Sequence, residues 1–443
     1  MDGFVNSAGA AGAEPLQPAN TKWTSRLVSE AGSYLLVSWT SSQGRKISGT
    51  GDVEGGSGLA RVFLSTWGQS DNIGDSILRR GLLRTFHGID DARVHVHVGR
   101  KLMPDTNDER YLTALRLRGD EVVYDTAIGW FSRYAASALT GRTLMVMPAG
   151  ELVLPDRAGR FWGWWTAVCA VLSRPRGGTT VQVGAGVRMS SDATITAPRM
   201  ERYARRKMSL VAWRDPRTAA AFGIGDIAPD WAFGEGPDPL GEGLGTPAGE
   251  RKILAVTTRG NRDLLDDNKI RLLRDIAKSR GLQIQVYSQV RRDREAMTKL
   301  AWVLHPGTEP LLFGEESHAE WEQKVRALHR ESAIVASDRI HALIVGATEG
   351  AVPLAVSSGS TEKALRTLKP GGFDLPADQP AAINDYLDTM LGDSTSVSRR
   401  IVTARAHLDQ LRNTLRSFIG GSPLPAPSTV EHRPCEYRHA AAS

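Results

Sequence analysis

Apolar runs and amphipathic segments alternate along most of this 443-residue chain. An apolar stretch at 60–66 predicts a buried strand, and the amphipathic segment that follows at 75–86 predicts a helix. Further short apolar runs predict strands at 92–98, 143–147, 179–183 and 210–213. Helix-like segments separate these runs, and such alternation is typical of a parallel sheet that is covered by helices on both faces.

A segment rich in Gly and Pro then interrupts the pattern. Residues 234–250 read GEGPDPLGEGLGTPAGE, which can sustain neither a helix nor a central strand, so we predict a domain linker there. The alternation restarts with predicted strands at 252–257, 283–287, 333–336 and 353–357. A predicted helix at 266–280 ends at Gly281, and another opens at Ser317, which has the S-x-x-E spacing of a capping box with Glu320.

These changes predict an α/β protein made of two doubly wound, Rossmann-like domains that face each other across a cleft. Ligands of such domains bind at the carboxyl ends of the strands. The predicted segments are a poorly ordered N-terminal extension, an N-terminal α/β domain, a C-terminal α/β domain, closing helices and a flexible tail. Their bounds are 1–58 (with one strand at 34–39), 59–240, 241–373, 374–420 and 421–443.

Composition narrows the classes of ligand. Basic residues exceed acidic ones by 55 to 49, but they alternate with acids and never form a long run. This pattern favours a small anionic ligand, or merely a basic solvated surface, and argues against nucleic acid. Cys169 and Cys435 are too few for a disulfide framework or a zinc site. The first 20 residues lack the pattern of a secretory signal, and the longest apolar run, 161–172, is shorter than the roughly 20 residues of a membrane span, so we predict a cytoplasmic protein.

The segment at 334–358, IVASDRIHALIVGATEGAVPLAVSS, carries the strongest chemical signal. Ser337 and Asp338 are good N-cap residues, so Arg339 and His341 should lie in the first turn of a helix at the end of a strand. Guanidinium groups bind oxyanions bidentately, and an imidazole can transfer a proton. The alternative is an ordinary helix start with a solvated arginine and a histidine at the edge of the core.

Two further cations follow predicted strands. Lys363 ends the turn SSGSTEK and opens the next helix, although a plain surface lysine is the alternative. Arg214 follows the strand at 210–213 in the other domain, in SLVAWRDPRTAAAFGI. If Arg214 and Arg339 face each other across a cleft, they suit a ligand that carries both a phosphate and a carboxylate.

Glycine-containing turns near other strand ends are weaker candidates. In DNIGDSILRRGLL, Gly74 lets the backbone approach a ligand, and Asp75 either caps the helix or acts as a base. Gly184 and Gly186, in GAGVR, either line the cleft or form a plain turn. Neither a G-x-G-x-x-G fingerprint nor a phosphate loop of the G-x-x-x-x-G-K-[ST] type occurs, which disfavours NAD and nucleoside triphosphates.

Two aromatic clusters have structural explanations that we prefer. His95 and His97 share one face of a strand, and without further ligands nearby they predict an exposed strand face and no metal site. The cluster of Trp162, Trp164 and Trp165 predicts core or a lid, with contact to a lipid-linked acceptor as the alternative.

Three of these motifs, in this order, resemble the polysaccharide pyruvyltransferase family. SDRIHALIVGATEGAVPLAVSSGSTEK is similar to the family's most characteristic motif. DNIGDSIL, which includes Asn72, is similar to its N-terminal G-N-x-G-D-x-x-I turn. WRDPRTAAAFGI and the following PDWAF are similar to its R-D-x-x-S and D-x-a-F segments. They span 62–363, about two-thirds of the chain. Asp71, the segment PAGE at 148–151 and Thr218 depart from the family's pattern, mainly on the acceptor side.

The resemblance implies a GT-B-like fold and a transferase that moves a pyruvyl group from phosphoenolpyruvate to a pair of glycan hydroxyls, forming a ketal without metal or other cofactor. Arg214 and Arg339 would then hold phosphate and carboxylate, together with Ser337 and Asp338, and Lys363 would neutralise charge. His341 would be the general acid/base, and Asp75 a proton acceptor. The acceptor, a glycan or a lipid-linked sugar, would lie along Asn72, Gly74, Gly184 and Gly186.

Two other functions stay open. One is a GT-B glycosyltransferase that uses a nucleotide sugar, and the other is a non-catalytic protein of the same fold that binds glycans or anions. A location at the inner face of the membrane, a peripheral membrane contact and a homo-oligomer also stay open.

Overall fold

The computed structural model of the chain describes residues 59–69, 71–99, 108–153, 159–188, 196–240, 246–376 and 379–420. The predicted N-terminal extension with its strand at 34–39, and the predicted tail at 421–443, lie outside these residues. Within them, no helix has both the length and the apolar character that a membrane span requires.

The first half of the described chain forms one parallel sheet, which we call the N-terminal sheet. Its strands are β1 (Ala60–Ser65), β2 (Ala92–His97), β3 (Val122–Tyr124), β4 (Thr143–Met147), β5 (Gly150–Val153), β6 (Thr179–Arg188), β7 (Leu210–Trp213) and β8 (Asp226–Ile227). They run in the order β3-β2-β1-β4-β6-β7-β8, and β5 pairs with the end of β6. Because β1 lies between β2 and β4, the winding of the chain reverses there, which opens a crevice at the carboxyl ends of these strands.

Helices cover both faces of this sheet. They are α1 (Ile73–Leu83), α2 (Asp108–Leu115), α3 (Ala127–Thr140), α4 (Gly159–Leu172), α5 (Arg199–Arg206) and α6 (Pro216–Phe222). Side chains of β1 alternate between two cores: Val62 and Leu64 pack with residues of α1, whereas Phe63 packs with residues of α3, α4 and α6. This two-residue period is what a strand buried on both faces requires.

The second half forms a smaller parallel sheet, which we call the C-terminal sheet. Its strands are β9 (Ile253–Thr257), β10 (Gln283–Val286), β11 (Ser332–Ser337) and β12 (Val352–Ala355), in the order β10-β9-β11-β12. Its helices are α7 (Asp267–Arg280), α8 (Arg294–Leu304), α9 (His318–Glu331), α10 (Ile340–Thr348) and α11 (Glu362–Leu368). The predicted capping box of Ser317 and Glu320 and the left-handed Gly281 after α7, at φ 60°, are confirmed.

Two further helices, α12 (Pro380–Gly392) and α13 (Ser396–Gly420), follow the C-terminal sheet. Helix α13 returns to the first half of the chain. Arg142 Nη2 donates to the carbonyl of Phe418 at 2.7 Å, and Arg416 Nε donates to the carbonyl of Thr85 at 2.8 Å. The chain's last described helix therefore joins the two halves.

A buried ion network also joins the two halves. Arg80 of α1 is only 1% exposed and donates to Glu235 at 2.8 Å and to both carboxylate oxygens of Glu322 of α9, at 2.8 and 2.7 Å. Burial alone would raise the pKa of Glu322, but the Arg80 and Arg326 guanidinium groups hold it at about 2. The element order confirms the predicted α/β fold class with two parallel sheets, one in each half of the chain, and closing helices after the second.

One local prediction is wrong. His95 and His97 do not form an exposed face, because β2 lies inside the sheet under α3, and their exposures are only 1% and 7%. His95 stacks on Phe63 with 4.4 Å between ring centroids, and its Nδ1 lies 2.9 Å from the hydroxyl of Tyr124. Burial lowers the pKa of His95 to about 3, so the ring is neutral and structural.

Candidate functional site

The loops at the carboxyl ends of the two sheets contact each other directly. Asn72, before α1, forms an antiparallel bridge with Val290, which follows β10. The Arg291 amide donates to the carbonyl of Asp71 at 3.0 Å, and the Gln289 side chain donates to Asn72 Oδ1 at 3.1 Å. The candidate site residues lie along this junction.

His341 is the second residue of α10, and its side chain is 12% exposed. Gly74 of the other half packs against it so closely that a Cβ at Gly74 would lie 2.5 Å from His341 Nδ1 and 2.6 Å from His341 Cβ. The structure therefore brings together Gly74 and His341, two predicted site residues that are far apart in sequence.

Asp230 lies on the other side of the His341 ring. It is completely buried before the turn Trp231–Gly234, and its Oδ2 is 3.1 Å from Arg214 Nη1 and 3.7 Å from His341 Nε2. Burial by itself would raise the pKa of Asp230, but the nearby imidazole and guanidinium groups hold it well below its usual range. Arg214, Asp230 and His341 thus form a row in which a buried carboxylate lies between a guanidinium and an imidazole.

Arg339 occupies the N-cap position of α10, so the prediction that Ser337 and Asp338 cap this helix is wrong. The Ser337 hydroxyl instead accepts the Arg339 amide at 2.9 Å. The Arg339 guanidinium pairs with Asp293, which is 2% exposed and also accepts the Gly260 amide at 2.9 Å. Arg339 therefore points across the carboxyl end of the C-terminal sheet.

Asp338 organises two arginines that the sequence analysis missed. Its Oδ1 accepts the Arg259 amide at 3.0 Å, and its Oδ2 lies 3.7 Å from Arg259 Nε and 3.4 Å from Arg262 Nη1. Both arginines follow β9, so the rule that identified Arg214, a cation directly after a strand, could have found Arg259. Asp338 thus holds Arg259 and Arg262 in place at the site, and its own charge is negative like that of the predicted donor.

Lys363, the second residue of α11, does not lie on a free surface. Its ammonium contacts Glu151 Oε1 of β5 at 2.6 Å, across the junction. Burial lowers the pKa of Lys363 to about 8; Glu151 opposes this shift, and the charges of Arg214 and Arg259 add to it. Lys363 is therefore close enough to Arg214 and Arg259 for their charges to lower its pKa.

Asp75 has a role only within the loop before α1 and the first turn of that helix. Asn72, and not Asp75, caps α1 by accepting the Gly74 amide at 3.1 Å, while Asp75 accepts the Gln69 amide at 2.9 Å within its own loop.

The strand glycines admit large neighbours and do not form a plain turn. A Cβ at Gly184, where φ is 76°, would lie 2.4 Å from the indole of Trp231, and a Cβ at Gly186 would lie 2.7 Å from Arg214 Nε. Because these glycines have no side chain, they leave room for Trp231 and Arg214, which flank Asp230.

The junction combines paired charges with buried nitrogens that lack a hydrogen-bond partner. Its ion pairs include five basic side chains, Arg214, Arg259, Arg262, Arg339 and Lys363, and four carboxylates, Glu151, Asp230, Asp293 and Asp338. Within the described part of the chain, the buried nitrogens here that lack a hydrogen-bond partner include the Nε atoms of Arg214, Arg259 and Arg339, and His341 Nε2. Since nearly all buried polar atoms in proteins are hydrogen-bonded, such a group of donors suits an anionic ligand.

Comparisons with known proteins give a likeness of fold. No protein-family model and no curated protein matches the chain. Among solved structures, a putative UDP-N-acetylglucosamine 2-epimerase from Listeria monocytogenes is 12% identical with a TM-score of 0.46, covering 83% of this chain and 99% of its own. A glycosyltransferase from Rickettsia africae is 11% identical with a TM-score of 0.46, covering 83% and 100%. An O-GlcNAc transferase variant from Thermobaculum terrenum is 13% identical with a TM-score of 0.42, covering 82% and 65%.

Asp230 is the main site residue to which sequence reasoning assigned no role. In the sequence it stands out only as the first residue of the segment that resembles D-x-a-F. The turn Trp231–Gly234 after it is buried between the two sheets, with Phe233 packed on Phe373 of the second half at 6.0 Å between ring centroids. A carboxylate followed by buried aromatic residues was the available signal, because such a carboxylate needs a cationic partner.

Proposed function

We propose that this protein is a glycan-modifying transferase whose donor is a small, multiply charged anion bound between the two sheets, and that this donor is phosphoenolpyruvate. The observation that carries the proposal is the row of Arg214, Asp230 and His341, together with buried arginine Nε atoms that have no hydrogen-bond partner among the described residues. The sequence resemblance to polysaccharide pyruvyltransferases supports the same donor.

The residues divide the work as their surroundings allow. Arg214 and Arg339 come from opposite halves of the chain and hold the phosphate and the carboxylate of the donor. Lys363 and Arg259 neutralise further charge. His341, backed by the buried Asp230, supplies a proton to the donor as the general acid.

The reaction balances with two acceptor hydroxyls and no further reactant. Protonation of the donor's methylene carbon by His341 makes the neighbouring carbon electrophilic, and the first hydroxyl oxygen bonds to it. The carbon–oxygen bond to phosphate then breaks, and the second hydroxyl closes the ketal. One hydroxyl proton restores His341, the other leaves with phosphate, and the products are the pyruvate ketal and inorganic phosphate.

Donor binding can be tested without knowing the acceptor. Calorimetric titration with phosphoenolpyruvate should show binding to the wild type, and Arg339→Lys should weaken it about tenfold or more, because a lysine cannot make a bidentate contact. His341→Ala should bind the donor nearly as well as the wild type while losing phosphate release in the presence of glycan acceptors. An absence of binding to the wild type, or unchanged turnover in His341→Ala, would refute the assignment.

A nucleotide-sugar donor is the second candidate. Its support is the pair Arg259 and Arg262 after β9, which could hold a diphosphate, and the names of structural neighbours, which include a UDP-N-acetylglucosamine 2-epimerase. Incubation of the protein and a mixed glycan pool with phosphoenolpyruvate or with UDP- and GDP-sugars separates the two, because a pyruvate ketal adds far less mass than a hexose. A hexose addition with no ketal would decide for the second candidate.

A further inference from the structure

An exposed apolar stripe runs along α4, one of the helices that cover the N-terminal sheet. Trp164, Val168 and Val171 are 61%, 42% and 45% exposed. Their spacing of four and three residues places them on one side of the helix. The opposite side, with Cys169 and Ala170, packs into the core under Tyr134. Helix α4 is thus apolar toward solvent as well as toward the protein.

The neighbouring helix α3 extends this stripe. It packs beside α4 through the rings of Phe131 and Trp165, whose centroids are 3.6 Å apart. Ile128 and Leu139 of α3 are 53% and 59% exposed. Exposed apolar residues scattered singly are ordinary, but a group of them on two adjoining helices marks an interaction surface.

The same helices are almost free of acidic residues. The segments 127–140, 159–172, 174–176 and 199–207 hold nine basic residues and one acidic residue, Glu201. Glu201 and Arg205 are buried and pair with each other, so neither contributes much charge to the surface, and the other eight basic residues remain. This face is therefore strongly positive.

Basic side chains border the apolar stripe directly. Arg176, in the turn after α4, is exposed and donates through Nε to the carbonyl of Leu139 at 3.2 Å, and Arg174 donates to the carbonyl of Lys207 after α5. Arg199 and Arg206 of α5 are also exposed. Apolar and cationic groups thus lie side by side on one face.

We propose that the face formed by α3, α4 and α5 docks on a membrane surface that contains anionic lipids. A tryptophan-containing apolar stripe bordered by arginines is the pattern of helices that lie in the lipid interface, where tryptophan is favoured and basic residues meet negative headgroups. An anionic surface complements the charge of this face. The inference does not depend on the chemistry of the proposed reaction, since it concerns a different part of the molecule.

Vesicle co-sedimentation of the full chain tests it. The wild type should bind vesicles of phosphatidylcholine mixed with phosphatidylglycerol, bind phosphatidylcholine alone weakly, and be released by salt. Trp164→Glu should weaken binding to the mixed vesicles about tenfold or more, because it removes an interfacial ring and adds a repelled charge. The matched control is Trp302→Glu on α8, where the tryptophan is 73% exposed on the other half of the chain, and it should bind as the wild type does.

A second pair of variants separates charge from apolar contact. Arg199→Ser with Arg206→Ser should weaken binding at low salt, whereas Arg271→Ser with Lys278→Ser on α7, with the same change in net charge, should not. Unchanged melting temperatures would show that the variants are folded. The proposal is overturned if the wild type does not bind mixed vesicles, if each control loses as much binding as its partner variant, or if sedimentation shows that Trp164→Glu merely dissociates a dimer of this chain.

Discussion

Replacing Asp230 by Asn is the sharpest perturbation of the proposed site, because it changes charge and hardly changes shape. The asparagine oxygen can still accept the Ala232 amide, which Asp230 Oδ1 accepts at 3.0 Å. What disappears is the negative charge 3.1 Å from Arg214 and 3.7 Å from His341 Nε2. His341, the proposed proton donor, then no longer has a negative charge beside it.

The size of the effect follows from these distances. Coulomb's law at 3.7 Å with an effective dielectric constant of about 20 gives about 4.5 kcal/mol, an upper limit for the interaction between carboxylate and imidazolium. Since each 1.36 kcal/mol is a factor of ten in rate, we expect kcat to fall about 10²- to 10³-fold in Asp230→Asn.

Phosphate release from phosphoenolpyruvate in the presence of acceptor measures this fall in kcat. Asp293→Asn is the matched control, since it removes another buried carboxylate of the junction, the partner of Arg339. That variant should change the KM for phosphoenolpyruvate and leave kcat nearly unchanged. A kcat of Asp230→Asn close to that of the wild type would refute the proposed pairing of Asp230 with His341.

The same substitution gives a stability signature. The folded-state pKa of Asp230 lies below its unfolded value, so the carboxylate contributes stability that is fully present above about pH 4 and is lost as the pH falls through the folded-state pKa. The difference in unfolding free energy between the wild type and Asp230→Asn should therefore be constant between about pH 5 and 8 and shrink below about pH 4. A difference that grows on acidification would contradict this assignment of charge.

Three further predictions concern the same junction. Gly74→Ala should lower kcat/KM about 100-fold, because its methyl group would lie 2.5 Å from His341 Nδ1 and force the ring or the two halves apart. The KM for phosphoenolpyruvate should rise as the pH passes about 8, where Lys363 loses its proton, and Lys363→Arg should remove this rise because arginine stays charged. Arg80→Met should cost about 3–5 kcal/mol in urea unfolding, since it leaves two buried carboxylates with one guanidinium partner fewer each, whereas Arg79→Met breaks a single ion pair and should cost less.

Matched controls make these outcomes specific. Gly129→Ala adds a methyl group near the start of α3, where the nearest atom, Thr126 Oγ1, would be 3.1 Å away, so it should leave kcat/KM unchanged. Equal losses in Gly74→Ala and Gly129→Ala would remove steric contact with His341 as the cause. A KM that stays flat through about pH 8 in the wild type would exclude Lys363 from donor binding, and equal costs for Arg80→Met and Arg79→Met would show that the buried network adds little.

Periodicity predicted the elements well where one rule decides. The apolar runs became parallel strands, and Gly281 and Ser317 ended and began helices as their local chemistry requires. The start of α10 was predicted wrongly because serine and aspartate side chains that can cap a helix can equally accept a loop amide, as Ser337 does, or pair with arginines, as Asp338 does. Asp338 pairs with arginines that are about 80 positions earlier in the chain, and no local pattern reveals such a partner.

The site divides in the same way. Strand-end position was enough to predict that Arg214, Arg339, His341 and Lys363 lie at the junction, because parallel strands bring their carboxyl ends together. Carboxylates such as Asp230, Asp293 and Glu151 escaped, since their roles exist only as counter-charges to cations from other elements. Burial of His95 was missed for a related reason, because alternation within one strand does not tell which helix will cover it.

The pairing of every strong cation at the junction with a carboxylate has a consequence for donor binding. Arg339 is held by Asp293 and Lys363 by Glu151, so an anion that enters must either exchange with these carboxylates or use the guanidinium nitrogens that they leave free. The second route costs less, because no buried charge is left without a partner. It also explains why the unsatisfied donors are Nε atoms, since the Nη atoms of Arg214 and Arg339 already hold acids. We therefore expect the donor's oxygens to approach these arginines from their Nε sides, with the carboxylates kept in place as a preorganised frame.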